Sequence, residues 1–374
     1  MSPFPASDQG DAPEDPSAPL PVHYAEQALL GALLLEPHRL QALDSLEPAH
    51  FGNPAHSALF AAMRSVPAPD PEQHRKDPAW LHDVLEEAKS ETRGLTAPYL
   101  HALTQVCPRP QHAVAYAGMI RADHARRTVG THAEHLAQIA TDTTLPAPVP
   151  VVLAQADTLA RYLDDLVAEF APHSGSLPRT SLPPVPLRDT SEEALDEERL
   201  LLATATAHPD EVKAMRWLRP DDFALPLHGR LYRCLTALAH RGDVVDAVTV
   251  LWEAQHQGLL TANLTPAGLM ALVSTPTGSP EHWGEKILQR ALLHRAHAVS
   301  LRIRAFTDDA ANTPHQLITG CRRALADLTS VRARWQRTSP QPLVAPRAPR
   351  TPAVTRAGPP PRATVPSSTA RTTR

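Results

Sequence analysis

The sequence predicts an all-α protein: two tandem small helical bundles, each followed by a long helical hairpin. Three observations lead there. Residues Glu26 to Phe60 and Glu198 to Tyr232 are one segment written twice, at a constant offset of 172 and without a gap. Glu26/Glu198, Leu29/Leu201, Leu30/Leu202, Pro37/Pro209, Leu46/Leu218, Pro48/Pro220, Phe51/Phe223, Pro54/Pro226, His56/His228 and Leu59/Leu231 are identical pairs. A repeat of this length sets the architecture before any local assignment. Second, aromatic residues are only 4% of the chain while apolar residues are 42%, so the core is built from Leu, Ala and Val, which favours helices packed on helices. Third, each copy ends in an apolar stripe with 4-3-4-3-4 spacing. Val152, Ala156, Leu159, Leu163, Leu166 and Phe170 form one, and Leu317, Cys321, Ala324, Leu328, Val331 and Trp335 the other, offset by 165. That is an a/d seam of about three heptads.

The elements follow in order. Ala25 to Leu35 is a strongly apolar first helix. Pro37 and Pro209 suit the first turn of a second helix, where the missing N–H costs nothing. Leu40, Leu43 and Leu46 give it an apolar stripe, repeated by Val212, Met215 and Leu218. A turn follows at Pro48 and Pro220, and Phe51 and Phe223 are core anchors. Asn53 is a helix cap with Pro54 behind it, opening a third helix through Leu59, Phe60 and Met63. Copy two has Leu225 in place of the cap, so that start should be weaker. The copies then diverge: copy two runs through a turn into a helix over 241–260, and copy one carries a Pro-rich insertion over 66–95. Similarity returns at Thr96–Leu100 and Thr265–Leu269, and Tyr116–Ile120 matches Trp283–Ile287, each entering a long helix. With the seam helix, this long helix makes a hairpin. A seam stripe can pack on its own domain or pair with another hairpin, and pairing can be within the chain or between chains.

Residues 1–22, 171–193 and 336–374 are rich in Pro, Ser or Thr and lack apolar periodicity, which predicts disorder. They leave two bodies, 23–170 and 194–335. The net charge of −4 is unevenly spread: residues 336–374 hold seven Arg and no Asp, Glu or Lys, which leaves −11 for the rest. The tail, with Arg347, Arg350, Arg356 and Arg362, reads either as loose, salt-sensitive contact with nucleic-acid phosphates or as a solubilising segment. Without interleaved aromatic residues it cannot read bases. No apolar run is long enough for a membrane span, and the acidic, Pro-rich start is not a signal peptide, so a cytoplasmic location is expected. Cys107, Cys234 and Cys321 have no CxxC spacing and read as free thiols.

The signature F-x-x-P-x-H-x-x-L-[FY] occurs at Phe51–Phe60 and at Phe223–Tyr232. With the upstream E-x-x-L-L helix and G-D-x-x-D-x-x-T at Gly242 to Thr249, it resembles the N-terminal domain of bacterial replicative DNA helicases, the DnaB family, over about residues 24–170 and 196–335. The middle of copy one departs from that pattern. The resemblance implies a small globular bundle followed by a helical hairpin. In the family the hairpins pair between subunits, and the collar they build contacts primase and sits above an ATP-driven motor. The resemblance covers only this collar. No G-x-x-x-x-G-K-[ST] occurs, and no Gly is followed by Lys, so the backbone cradle and Lys that hold nucleotide phosphates are missing. No ATPase or helicase activity is expected from this chain alone.

No cofactor, catalytic set or metal site is expected. His56 and His228 recur at one position without a carboxylate at fixed spacing, and read as structural, hydrogen-bonding within the turn that follows each Phe. His132-x-x-His135 and His294-x-x-His297 have the helical spacing of zinc ligands but do not align between the copies, and no third ligand is evident. The expectation is a non-enzymatic adaptor or scaffold of the primosome, in contact with a replicative helicase, a primase or itself. The alternatives are a nucleic-acid-binding accessory acting through the tail, and a decayed helicase relic.

Overall fold

A computed structural model describes residues 20–77, 79–170, 177–261 and 264–338. Helices α1 (Pro21–Leu35), α2 (Pro54–Ser65), α3 (Pro71–Lys76), α4 (Ala79–Glu91), α5 (Ala97–Val106), α6 (Ala113–Thr141) and α7 (Pro148–Glu169) form copy one. Copy two contains α8 (Glu192–Ala207), α9 (Pro209–Ala214), α10 (Pro226–Arg241), α11 (Ala247–His256), α12 (Pro266–Leu272), α13 (Pro280–Asp308) and α14 (Pro314–Thr338). The fold is all-α: among the described residues the only β pairing is an isolated bridge between Thr261 and Leu264.

Local chemistry sets the helix starts. The Asn53 side chain accepts the Ala55 N–H, with Pro54 next to it, at the head of α2. Thr96 and Thr265 cap α5 and α12 at matching positions of the two copies. Leu225 makes no side-chain cap. The segment after Pro37 is a 3₁₀ turn (Pro37–Ala42), whereas its repeat after Pro209 is α-helical. The insertion of copy one forms α3 and α4; Asp70 caps α3 by accepting the Glu72 and Gln73 N–H groups.

Helix α1 is buried nearly all round and forms the centre of the first bundle, as α8 does in the second. Gly31 lets α1 press on α5, since a Cβ there would lie 2.1 Å from the Leu103 carbonyl oxygen. The first core gathers Leu29, Leu33, Phe60, Met63, Trp80 and Ile120, and the second Leu201, Leu202, Phe223, Tyr232, Leu235 and Ile287.

Each bundle leads into a hairpin, α6–α7 and α13–α14. The long arms α6 and α13 are 29 residues each, about 43 Å at 1.5 Å per residue. The two hairpins lie against one another head to tail. Leu136, Ala140, Val149 and Val152, around the tip of the first, share a core with bundle two and with Leu328 and Val331 near the end of α14. Leu159, Leu163 and Leu166, near the base of the first, share a core with Ile303, Phe306, Leu317 and Ile318 at the tip of the second.

This arrangement corrects the disorder expected over 171–193 for its residues 177–193; residues 171–176 lie outside the described residues. Copy one ends beside the far tip of hairpin two, so the chain must travel back along that hairpin to begin copy two. Residues 177–191 do so as an extended strap held by long-range hydrogen bonds. Gln316 donates to the Leu177 carbonyl (3.3 Å), Thr180 to Asp309 (2.6 Å), His294 Nε2 to the Pro186 carbonyl (2.8 Å), and Arg188 to the Phe223 and Asp221 carbonyls (2.8 and 2.5 Å). Hairpin side chains donate to two of the strap's carbonyls, and the strap's Arg188 donates to two carbonyls of bundle two, so it needs no periodic sequence to be fixed. Helices also reach into the other two segments read as disordered, from Pro21 in α1 and to Thr338 in α14. Residues 1–19 and 339–374 lie outside the described residues.

Candidate functional site

The repeated signature builds the same device twice. Phe51 and Phe223 are buried against Phe60 and Tyr232, with ring centroids 5.1 and 5.2 Å apart. Pro54 and Pro226 open the next helix, which brings His56 and His228 inward, 0% and 3% exposed. Each meets a buried carboxylate of the bundle's first helix: His56 Nδ1 lies 2.6 Å from Glu26 and His228 Nδ1 lies 2.8 Å from Glu198. The same carboxylates accept backbone N–H groups of the turn, from Gly52 at 2.5 Å in copy one, and from Ala224 and, at 3.4 Å, Leu225 in copy two.

The histidines therefore do have a carboxylate partner at fixed spacing, 30 residues upstream in both copies. The sequence reading missed it, although Glu26 and Glu198 stood among the identical pairs. The histidine also does not bond the turn itself; the glutamate does, and the histidine holds the glutamate. Glu198 thereby supplies an acceptor at the helix start where Leu225 has none. A buried carboxylate is tolerated only when its oxygens are saturated in this way.

Copy one adds two groups. The Tyr99 hydroxyl lies 2.6 Å from His56 Nε2, and the His23 ring stacks on His56 at 5.2 Å. The matching positions in copy two are Gly268 and Leu195. His23, Glu26 and His56 bring three potential metal-ligating atoms within 4.8 Å of one another.

The seam residues lie between the hairpins. Val152, Leu159, Leu163, Leu166, Leu317, Leu328 and Val331 are buried, while Phe170 and Trp335 are half-buried at the ends. Polar contacts fix the register. Arg126 of α6 donates to the carbonyls of Thr307 (3.3 Å), Asp309 (2.6 Å), Ala310 (3.5 Å) and Asn312 (2.5 Å), filling the open C-terminal end of α13. Arg332 and Arg322 of α14 pair with Asp157 and Asp164 of α7. Nothing in the sequence marks Arg126: its position in copy two is Leu293, and carbonyl recognition has no residue code.

Helix α11 keeps an apolar face open. Val248 and Trp252 sit one turn apart on α11, with Val244 just before its cap, and they are 62%, 61% and 73% exposed. Apart from Ala79 at its start, the exposed positions of α4 in copy one are polar, among them His82, Asp83, Glu86 and Lys89. The segment 242–285 around this face contains no Lys or Arg and five acids, Asp243, Asp246, Glu253, Glu281 and Glu285.

Other candidates are not brought into a site. His132 is held by Gln155 (3.3 Å) and His135 is exposed, while His294 is engaged by the strap. Arg347, Arg350, Arg356 and Arg362 lie outside the described residues. Burial pushes the Cys234 thiol up to about 11 and the Cys321 thiol up to about 12, so neither is a ready thiolate. No helix among the described residues is long and apolar enough to cross a membrane.

The family described as DnaB-like helicase N terminal domain matches the chain twice, over residues 19–122 and 190–285. These two stretches hold both bundles and the first part of each long arm, so the duplication is a duplication of this domain. No solved structure matches the chain.

Proposed function

We propose, from the premise that the chain belongs to the family of DnaB-like helicase N-terminal domains, that it is a non-enzymatic adaptor of DNA replication that docks a replicative helicase or a primase. Bodies 23–170 and 194–335 are its two collar-like units, joined into one scaffold by their own hairpins. The open face of α11 carries the reading. Val244, Val248 and Trp252 form an apolar patch in a segment free of Lys and Arg, with His256 beside Trp252 and Arg241 paired to Asp243 and Glu253, and such patches on soluble proteins mark contact sites. The paired hairpins support it as well. The surface that the resemblance assigns to pairing between subunits is occupied within the chain, so a partner must bind elsewhere.

The test is calorimetric titration of the purified protein with the helicase and the primase of the same organism. Binding is expected to one of them, weakened about 30-fold by Trp252→Ala if Trp252 is an interface hot spot worth about 2 kcal/mol. Absence of binding to both at roughly 100 μM, where any retained contact is weaker than about −5.5 kcal/mol, overturns the proposal. A nucleotide-hydrolysis assay with the same preparation is expected to give no turnover above buffer.

A further inference from the structure

We propose that His23, Glu26 and His56 form a binding site for one zinc-class divalent ion, present in copy one and absent from copy two. The donor set is two imidazoles and one carboxylate, a combination that suits zinc and its first-row neighbours and leaves a fourth position to solvent. His23 and Glu26 stand one turn apart on α1, so both face α2, which supplies His56.

The supporting contacts are those a metal site needs. The Tyr99 hydroxyl engages His56 Nε2 at 2.6 Å, and the Gly52 N–H engages Glu26 Oε1 at 2.5 Å. These outer bonds fix the ring and the carboxylate and leave His56 Nδ1 and Glu26 Oε2 pointing at one another, 2.6 Å apart. A proton bridges them there. An ion entering between them takes both atoms as ligands, and the bridging proton moves to His56 Nε2, facing the Tyr99 oxygen, or to solvent where Nε2 already carries one. Tetrahedral coordination at roughly 2.0–2.1 Å needs ligand atoms about 3.3 Å apart. The pair must therefore open by some tenths of an ångström, and His23 must turn its ring nitrogen inward. His23 is only half-buried, which gives that freedom and a route from solvent.

Copy two is the built-in control. It keeps the buried pair Glu198–His228 with the same contact, but Leu195 stands where copy one has His23, and Gly268 where it has Tyr99. The pair alone therefore serves the fold, and the additional donor and the tyrosine are what copy one adds to it.

The experiment uses the full chain with zinc, by competition against a chromophoric chelator, and with cobalt(II), by its visible absorption. One equivalent per chain is expected, together with a zinc-dependent rise in melting temperature. His23→Leu installs the residue that copy two already accommodates. It is expected to leave the metal-free circular dichroism and melting temperature unchanged while weakening zinc at least a hundredfold and abolishing the thermal shift. No zinc bound tighter than about 100 μM, a contact of about −5.5 kcal/mol, overturns the proposal. So does equal affinity in wild type and His23→Leu, which would place the ion on other histidines.

Discussion

Tyr232 shows how the duplication turns single residues into controls. Its hydroxyl is buried without a hydrogen-bond partner, and copy one has Phe60 at that position. Burial raises the Tyr232 pKa far above its ordinary value, so the group stays a neutral, unpaired phenol. Tyr232→Phe is expected to stabilise the protein by about 1 kcal/mol, since it removes a desolvated hydroxyl and keeps the ring. Urea denaturation reads the shift, and a loss of stability would show that the hydroxyl has a partner. Glu198→Ala should do the opposite. It strips His228 and the N–H groups of Ala224 and Leu225 of their common acceptor, at a cost of about 3–5 kcal/mol. Denaturation near wild type would mean that the turn recruits another acceptor. The glutamate's part was present in the sequence as two identical pairs separated by a constant interval. It was overlooked because the link joins two helices and leaves no local motif.

At the level of elements, the helix starts were legible because capping is local: Asn53, Thr96 and the prolines act on their neighbours in sequence. The strap was not legible. Its Pro-rich composition reads as a linker, and what fixes it comes from His294, Asp309, Asn312 and Gln316, more than a hundred residues away. Thr180 and Arg188 act from within it. Its length also matters. Residues 171–191, fully extended at roughly 3.3 Å each, reach about 70 Å, while hairpin two, with α14 of 25 residues, is about 37 Å long at 1.5 Å per residue. Deleting residues 179–190 leaves a reach of roughly 30 Å, too short for the chain to return along its own hairpin. The wild type is expected to run as a monomer of 40.6 kDa in light scattering. The deletion variant is expected to dimerise by exchanging hairpins between chains, and a monomeric, folded deletion variant would refute this account.

Across the whole molecule, the sequence specified the all-α class and the copy number, but not which seam meets which. Two stripes in the same phase fit a partner on the same chain or on another equally well, and geometry decides through the strap and through Arg126. The whole molecule also carries an acid sensitivity. Burial lowers the pKa of His50, His124, His132 and His294 in the folded state. Below the ordinary histidine value of 6.5 the unfolded chain therefore binds more protons than the folded one, and stability falls as pH falls from there toward the depressed values. Glu285, raised by burial, pulls the other way, one group against four. The melting temperature is expected to drop between pH 7 and pH 5.5, and a flat profile in that interval would show these histidines to be better solvated than their packing implies.

Tethering changes how the hairpin pair responds to dilution. A collar whose hairpins meet from separate chains exists only above its dissociation constant, so its assembly depends on how many copies the cell makes. Here each hairpin meets its mate at an effective concentration of about a millimolar, a value set by the tether and not by abundance. A handful of molecules per cell would then carry the assembled surface as completely as thousands. The amount of protein would decide only how many hairpin pairs there are, never what fraction of the hairpins is paired.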